Sequence, residues 1–139
     1  TAYYFYVQAD CGGGDLSDWS GPFSFTTNGP PPANDECAGA ENIVPSTTGA
    51  EVWSIGTTAN TTASGEIASG DTSCLGFGAG REVWYTVEVP AAGDITIQTR
   101  AVAGSPLSDT VMSVFSGTCG ALVGTEIQCD DDGGDDKDL

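Results

Sequence analysis

The stretch EVWYTVEV, residues 82–89, decides the fold class. Apolar side chains occupy every second position, and successive side chains of a β-strand point to opposite faces. The pattern therefore predicts a strand with one face against a core. The residues predicted to face the core are Val83, Tyr85, Val87 and Val89, and those predicted to lie outside or against a second layer are Trp84, Thr86 and Glu88.

Similar stretches flank this strand, and turn-rich sequence separates them. The chain has 139 residues with 20 glycines, 7 prolines and a hydrophobic fraction of 39%. Short strands spaced by turns at intervals of about ten residues are typical of a β-sandwich. We expect an all-β chain with further strands at 51–58, 94–100, 110–116 and 122–128.

A separate hairpin is predicted at the N-terminus. TAYYFYVQAD, residues 1–10, and FSFTT, residues 23–27, both alternate, and the turn-rich CGGGDLSDWSGP joins them. Residues 28–33, NGPPPA, favour an extended polyproline conformation and cannot continue a sheet. The sequence thus predicts a hairpin at 1–27, a stiff linker at 28–33 and a second unit at 34–139.

The hairpin resembles the last two strands of a fibronectin type III domain. The matching residues are the Y-x-F-x-V-x-A strand from Tyr3 to Ala9, Ser17, the WSGP of Trp19 to Pro22 and FSFTT. It is similar in particular to repeats of secreted multidomain bacterial proteins, in which CGGG follows that strand. The resemblance implies that the chain starts inside a domain and that Cys11 has been cut off from its partner.

The second unit resembles bacterial pre-peptidase C-terminal (PPC)-like domains, jelly-roll-type β-sandwiches of secreted proteases and surface proteins. The matching motifs are NDEC at 34–37, VWYTVEVPAAGDITIQT at 83–99, DTVMSVFSGTCGAL at 109–122 and CDDDGG at 129–134. The resemblance implies a jelly-roll-like sandwich over 34–139 that needs one or two more strands after its acidic loop. We therefore expect a chain truncated at both ends.

The charge balance excludes one class of partner. Twenty acidic residues against Arg81, Arg100 and Lys137 give a formal charge of −17, which repels the phosphate backbone of nucleic acids. No stretch approaches the ~18 consecutive apolar residues of a membrane helix. Divalent cations would offset the mutual repulsion of clustered carboxylates, and Ca²⁺ prefers oxygen ligands.

Three oxygen-rich groups could supply a calcium site. The PPC-like resemblance implies calcium binding through the N-terminal linker together with loop carboxylates. The predicted ligands are Asn34, Asp35, Glu36, Asp109, Asp130, Asp131 and Asp132. DDDGGDD lacks the alternating frame of an EF-hand, which we exclude. The alternative for 130–138 is a solvated acidic loop.

The five cysteines indicate disulfides in an oxidising compartment, because the chain has no histidine and no C-x-x-C pair for zinc. One arrangement joins Cys119 to Cys129 and Cys37 to Cys74. It is one of three connectivities that these four cysteines allow.

Catalysis is not expected, since without histidine there is no Ser–His or Cys–His nucleophile pair. Trp53, Trp84 and Tyr4 could stack on sugar rings if exposed, although packing between sheets is the commoner role. Asn60 begins an Asn-x-Thr glycosylation pattern, and Thr110 lies in a D-T-V pattern that resembles bacterial O-glycosylation sites.

These features predict a non-catalytic extracellular module that spaces and stiffens a multidomain bacterial surface or secreted protein. Calcium would lock the proline-rich junction to the second sandwich, and the neighbouring domains of the chain would be its partners. Two alternatives remain: a carbohydrate- or protein-binding accessory of a secreted hydrolase or protease, and a repeating subunit of an extracellular filament whose half-domains are completed by neighbouring chains through added strands.

Overall fold

The computed structural model describes residues 1–63, 65–67, 72–74, 80–91, 93–107 and 109–131. The chain is all-β, as predicted, with three two-stranded sheets in the described part and one short 3₁₀ turn. It divides into two compact units, Thr1–Pro30 and Pro31–Leu139, and the division lies inside the proline-rich stretch 28–33. No helix among the described residues is long and apolar enough to cross a membrane.

The first unit is an antiparallel hairpin of β1, Ala2–Val7, and β2, Ser20–Thr26. Its register pairs Tyr3 with Phe25 and Phe5 with Phe23. The Tyr3 and Phe25 rings stack with centroids 5.4 Å apart, and Phe5 lies 5.5 Å from Phe23. Cross-strand aromatic pairs of this kind stabilise a hairpin.

The loop of the hairpin closes through its own polar groups. Ala9 N–H donates to the Ser17 hydroxyl at 2.9 Å, while Ser17 N–H donates to the Ala9 carbonyl at 3.0 Å. Gly12, Gly13 and Gly14 all have positive φ, between 65° and 87°, a region that side chains with a Cβ rarely adopt. Cys11, beside them, is an exposed free thiol.

The second unit holds two small sheets. β3, Glu41–Ile43, runs parallel to β4, Tyr85–Val87, and β5, Met112–Phe115, runs antiparallel to β6, Glu126–Asp130. The buried apolar side chains among the described residues are Cys37, Ile67 and Leu122, and the buried polar ones are Asn34, Asp35, Thr61 and Thr72. Polar groups thus form as large a part of this interior as apolar ones do.

Two predicted strands are wrong. Residues 51–58 and 94–100 form no strand, although both alternate. Their neighbours contact them through side chains rather than through a backbone ladder: Thr99 Oγ1 lies 3.1 Å from Thr110 Oγ1, and the Arg100 guanidinium lies over the Trp53 ring. Alternation of apolar and polar residues indicates an extended segment with one exposed face. A β-strand also requires a neighbouring strand as its hydrogen-bonding partner.

The orientation predicted for 82–89 needs a correction as well. Trp84, predicted to lie outside or against a second layer, packs its indole against Phe115 of β5 at 6.3 Å between centroids, and its Nε1 is buried. Val89, predicted to face the core, is 50% exposed. The ladder of β4 spans only three residues, so strand alternation does not extend to the ends of the stretch.

Candidate functional site: the anchor turn of the second unit

Residues 34–37, here called the anchor turn, lie at the start of the second unit, where a tight turn at 32–35 runs into a 3₁₀ turn. Asp35 N–H donates to the Pro32 carbonyl at 3.2 Å, and a 3₁₀ turn follows at Cys37–Gly39. A Cβ at Gly39 would collide with the Ala33 carbonyl oxygen, so the chain passes over itself only because a glycine stands there.

Asn34 ties the anchor turn to β4. Its side-chain Nδ2 donates to the Trp84 carbonyl at 3.1 Å, and Trp84 N–H donates to the Asn34 carbonyl at 2.8 Å. Glu41 N–H, at the start of β3, donates to the same Trp84 carbonyl at 3.0 Å. Asn34 is 8% exposed, and these bonds satisfy polar groups that burial would otherwise penalise.

Asp35 ties the anchor turn to a second distant segment. Its Oδ1 accepts from Thr62 N–H at 2.8 Å, and its Oδ2 accepts from the Thr62 hydroxyl at 2.7 Å. The residue is 5% exposed. A buried carboxylate needs hydrogen-bond donors, and a single threonine supplies one to each oxygen. Glu36 lies at the exposed rim, where its Oε1 is 3.4 Å from the same hydroxyl.

The segment that carries Thr62 is itself a closed turn. Thr61 N–H and Thr61 Oγ1 both donate to the Thr58 carbonyl, at 3.3 and 2.9 Å. Asn60 has φ of 64°, the left-handed conformation that asparagine tolerates better than most residues. Asn60 is exposed, as a glycosylation acceptor must be, whereas Thr61 is buried.

Cys37 adds a polar and a covalent tie. Its N–H lies 3.1 Å from both Oε1 and Oε2 of Glu66, and its sulfur is bonded to Cys119. Four neighbouring residues therefore reach four remote parts of the second unit, near residues 62, 66, 84 and 119. The anchor turn thus connects four distant segments of the second unit.

The second disulfide joins Cys74 to Cys129. The predicted pairing of Cys119 with Cys129 and of Cys37 with Cys74 is therefore wrong. Cys119 lies in the loop that connects β5 to β6, whereas Cys129 lies on β6 opposite Ser113. The three residue steps from Glu126 to Cys129 alone span about 10 Å of strand, and a disulfide needs Cα atoms within about 7 Å.

The two bridges interleave along the chain, since 74 lies between 37 and 119, and 119 lies between 74 and 129. Cys11 remains a free thiol. Disulfides of this kind indicate an oxidising, extracellular setting.

The predicted calcium ligands do not all come together in the described part. Asn34, Asp35 and Glu36 meet Thr62, as above. Asp109 and Asp131 are exposed, Asp130 is half-buried on β6, and Asp132 lies outside the described residues. Among the described residues no three acidic or cysteine side chains converge as a metal site requires. The oxygens of Asp35 already accept hydrogen bonds from Thr62, so this carboxylate fits an internal tie better than an open cation site.

The predicted stacking and glycosylation residues lie in other surroundings. Trp53 is 38% exposed, with the Arg100 guanidinium 3.6 Å from its ring centroid and its Nε1 donating to Glu51 at 2.9 Å. Trp84 Nε1 is buried without a hydrogen-bond partner in the described part of the chain. Thr110 is half-buried. One ring face of Trp53 is therefore covered by a cation.

Sequence reasoning missed the partners of the anchor turn. Thr62 was interpreted only as part of a glycosylation pattern, and nothing singled out Glu66 or Glu126. Carboxylates and hydroxyls that bind backbone groups from afar carry no local pattern, so no signal in the sequence would have found them.

Comparison with protein-family models, with curated proteins and with solved structures found no match to this chain.

Proposed function

We propose that the chain is a non-catalytic structural module of a secreted or cell-surface multidomain protein. In this proposal the first unit is the C-terminal hairpin of a fibronectin type III-like domain, and the second is a PPC-like β-sandwich. The module keeps its neighbours at a fixed separation. The main support for this proposal is the interleaved pair of disulfides, Cys37–Cys119 and Cys74–Cys129, of which the first begins at the anchor turn.

The disulfides support a structural role because few apolar side chains are buried in the described part of the second unit. Three buried apolar side chains in the described part of the second unit cannot offset the conformational entropy of ordering such a segment. Small extracellular domains compensate for a small core with disulfides. The anchor turn supports the same role, since its most buried polar side chains form hydrogen bonds with other parts of the second unit and so stabilise the fold.

Calcium is a further part of the proposal, supported by the formal charge of −17 and by the exposed carboxylates of Glu36, Asp109 and Asp131. Bound Ca²⁺ would lower the repulsion between such groups and so raise stability by mass action. The oxygen-rich ligand chemistry fits, while the buried Asp35 serves the fold.

A distance measurement tests the structural role. Dyes attached through non-natural residues at the exposed positions 50 and 123 are expected to give one narrow single-molecule FRET distribution in the oxidised protein. Reductant should broaden it, and 1–5 mM CaCl₂, on the order of the weaker extracellular calcium sites, should narrow it or raise Tm. KCl at matched ionic strength, and thus at about three times the CaCl₂ concentration, serves as the control.

A broad distribution in the oxidised, calcium-loaded protein would contradict a spacer. No change in Tm and no heat of binding with CaCl₂ would remove calcium from the proposal and leave the disulfide-based role standing.

A second role, as a filament subunit completed by neighbouring copies, is favoured by the hairpin of the first unit. Its aromatic side chains Tyr3, Phe5, Phe23 and Phe25 are 44–52% exposed, and a lone two-stranded hairpin is marginally stable in water. Copies that supplied a covering sheet would bury these rings. Concentration-dependent polymers in electron micrographs would support this role, and a monomer at all concentrations would exclude it.

A further inference from the structure

The hairpin of β5 and β6 contains an irregularity with a chemical consequence. Val114 pairs with Gln128, but the next residue, Phe115, pairs with Glu126, so Ile127 has no opposite residue. This is a β-bulge, in which one strand carries an extra residue. Ile127 is 63% exposed, so its own side chain adds little to the core.

The bulge changes which β6 side chains share a face. Directly paired residues of two strands have their side chains on the same side of the sheet. Cys129 pairs with Ser113 and Glu126 with Phe115, and residues 113 and 115 share a face of β5. Glu126 and Cys129 therefore lie on one face, although residues three apart in a regular strand lie on opposite faces.

Both side chains reach the same remote segment. Ser73 N–H lies 3.1 and 2.9 Å from the two carboxylate oxygens of Glu126, and the adjacent Cys74 is bonded to Cys129 with the Cα atoms 5.7 Å apart. Ser113 Oγ lies 3.0 Å from Cys129 Sγ on the same face. One carboxylate thus fixes the backbone immediately before the cysteine that forms the bridge.

We propose that Glu126 and the bulge at Ile127 form a pairing device that directs Cys129 to Cys74. Five cysteines allow fifteen two-bridge sets, from five choices of free thiol and three pairings of the other four. The carboxylate selects one of these partners by holding Ser73. Glu126 is a positioning residue, since it touches the backbone and not the sulfur atoms. This device goes beyond the proposed structural role and operates whether or not calcium binds.

The chemistry is ordinary thiol–disulfide exchange with a small-molecule disulfide such as oxidised glutathione. The Cys74 thiolate attacks oxidised glutathione, forms a mixed disulfide and releases one glutathione thiolate. The Cys129 thiolate then attacks the Cys74 sulfur, forms the protein disulfide and releases the second glutathione. Two protein thiols are oxidised and one glutathione disulfide is reduced to two thiols. Glu126 acts before the second step, when it holds Cys74 within reach of Cys129.

Oxidative refolding of the full chain tests the device. The reduced protein is refolded in a glutathione buffer, quenched by alkylation and mapped by mass spectrometry for every cysteine pair. In Glu126→Ala the ratio of Cys74–Cys129 to Cys37–Cys119 should fall about fivefold, because a charge-assisted hydrogen bond is lost at a partly exposed site. Glu126→Gln keeps one acceptor oxygen and should recover part of the ratio. Deletion of Ile127 should leave the ratio near that of the parent, because Glu126 would then stand two residues before Cys129 in a regular strand and stay on the same face.

The ratio within one molecule separates pairing from general instability. Glu88→Ala, which removes an exposed glutamate elsewhere in the second unit, is the matched control and should leave the ratio unchanged. An equal loss of both disulfides in Glu126→Ala would overturn the proposal, because Glu126 would then be a general stabilising residue. A ratio in Glu126→Ala equal to that in Glu88→Ala would overturn it too.

Discussion

The hairpin of the first unit and the anchor turn of the second are held by opposite means. The hairpin relies on aromatic rings that pair across two strands and stay 44–52% exposed. The anchor turn buries an amide and a carboxylate, and it reaches residues 27 to 82 positions away along the chain through hydrogen bonds and a disulfide. Pairing between two neighbouring strands is enough to form the hairpin. An interior held by hydrogen bonds between buried polar groups also needs disulfide bonds.

The sharpest way to test this contrast is to remove the disulfide at the anchor turn. Cys37→Ser with Cys119→Ser opens a bridge that spans 82 positions, which on chain entropy costs about 4–5 kcal/mol. That is a large share of the stability of most domains. Urea unfolding should show the second unit largely unfolded, while hydrogen exchange of the β1 and β2 amides should stay as in the parent.

The matched control is Cys11→Ser, which replaces a free exposed thiol and should not change either unit. A loss below about 1 kcal/mol in the double variant would mean that noncovalent contacts alone hold the anchor turn.

A smaller effect is expected at the carboxylate. Asp35→Asn keeps the side-chain shape and an acceptor oxygen for the Thr62 N–H, but it reverses the bond to the Thr62 hydroxyl and removes the charge that strengthens both bonds, which should cost about 1–2 kcal/mol. Thr62→Val keeps the backbone N–H bond to Oδ1 and loses the hydroxyl bond to Oδ2, which should cost about 1 kcal/mol. The double variant should cost less than the two added, because both changes affect the same hydroxyl bond. The exposed Glu36→Gln is the control. Additive losses would show that Asp35 and Thr62 act separately.

The smallest effect is expected in the hairpin. Phe25→Thr removes the ring stacked on Tyr3 and should destabilise the ribbon by about 0.5–1 kcal/mol. Amide exchange in β1 should quicken while Tm of the second unit stays constant. Tyr4→Thr removes a ring that is 69% exposed and should have less effect. Equal effects would show that cross-strand stacking does not stabilise the hairpin.

The elements that the sequence predicted well are those with local signals. Alternation located β1 and β2, and the stretches 110–116 and 122–128 contain or overlap β5, Met112–Phe115, and β6, Glu126–Asp130. β3 was not predicted, because three residues in a parallel pair leave no period to detect. The prediction of strands at 51–58 and 94–100 was wrong for the complementary reason, because the two-residue period of a sequence does not show whether a partner strand lies beside it.

The anchor turn was only partly predictable. The NDEC motif marked Asn34, Asp35 and Glu36 as oxygen-bearing residues at one place, and calcium binding was the use that the charge suggested. Their partners Thr62, Glu66 and Trp84 are distant in sequence, and the choice of partner depends on the folded path of the chain. The disulfide pairing failed on the same ground, because Cys119 and Cys129 are near in sequence but lie at different levels of one hairpin.

The interleaved bridges also limit how far this unit lengthens under load. Pulled between Cys37 and Cys129, the oxidised chain has a covalent shortcut through Cys119, after which only ten residue steps remain. Fully stretched, that path, with the bridge itself included, reaches about 40 Å, against roughly 320 Å for the same chain with its bridges open. The load would be carried by this covalent path and not by most of the polypeptide between the two cysteines. The end-to-end length of the unit would therefore increase little even after it unfolds.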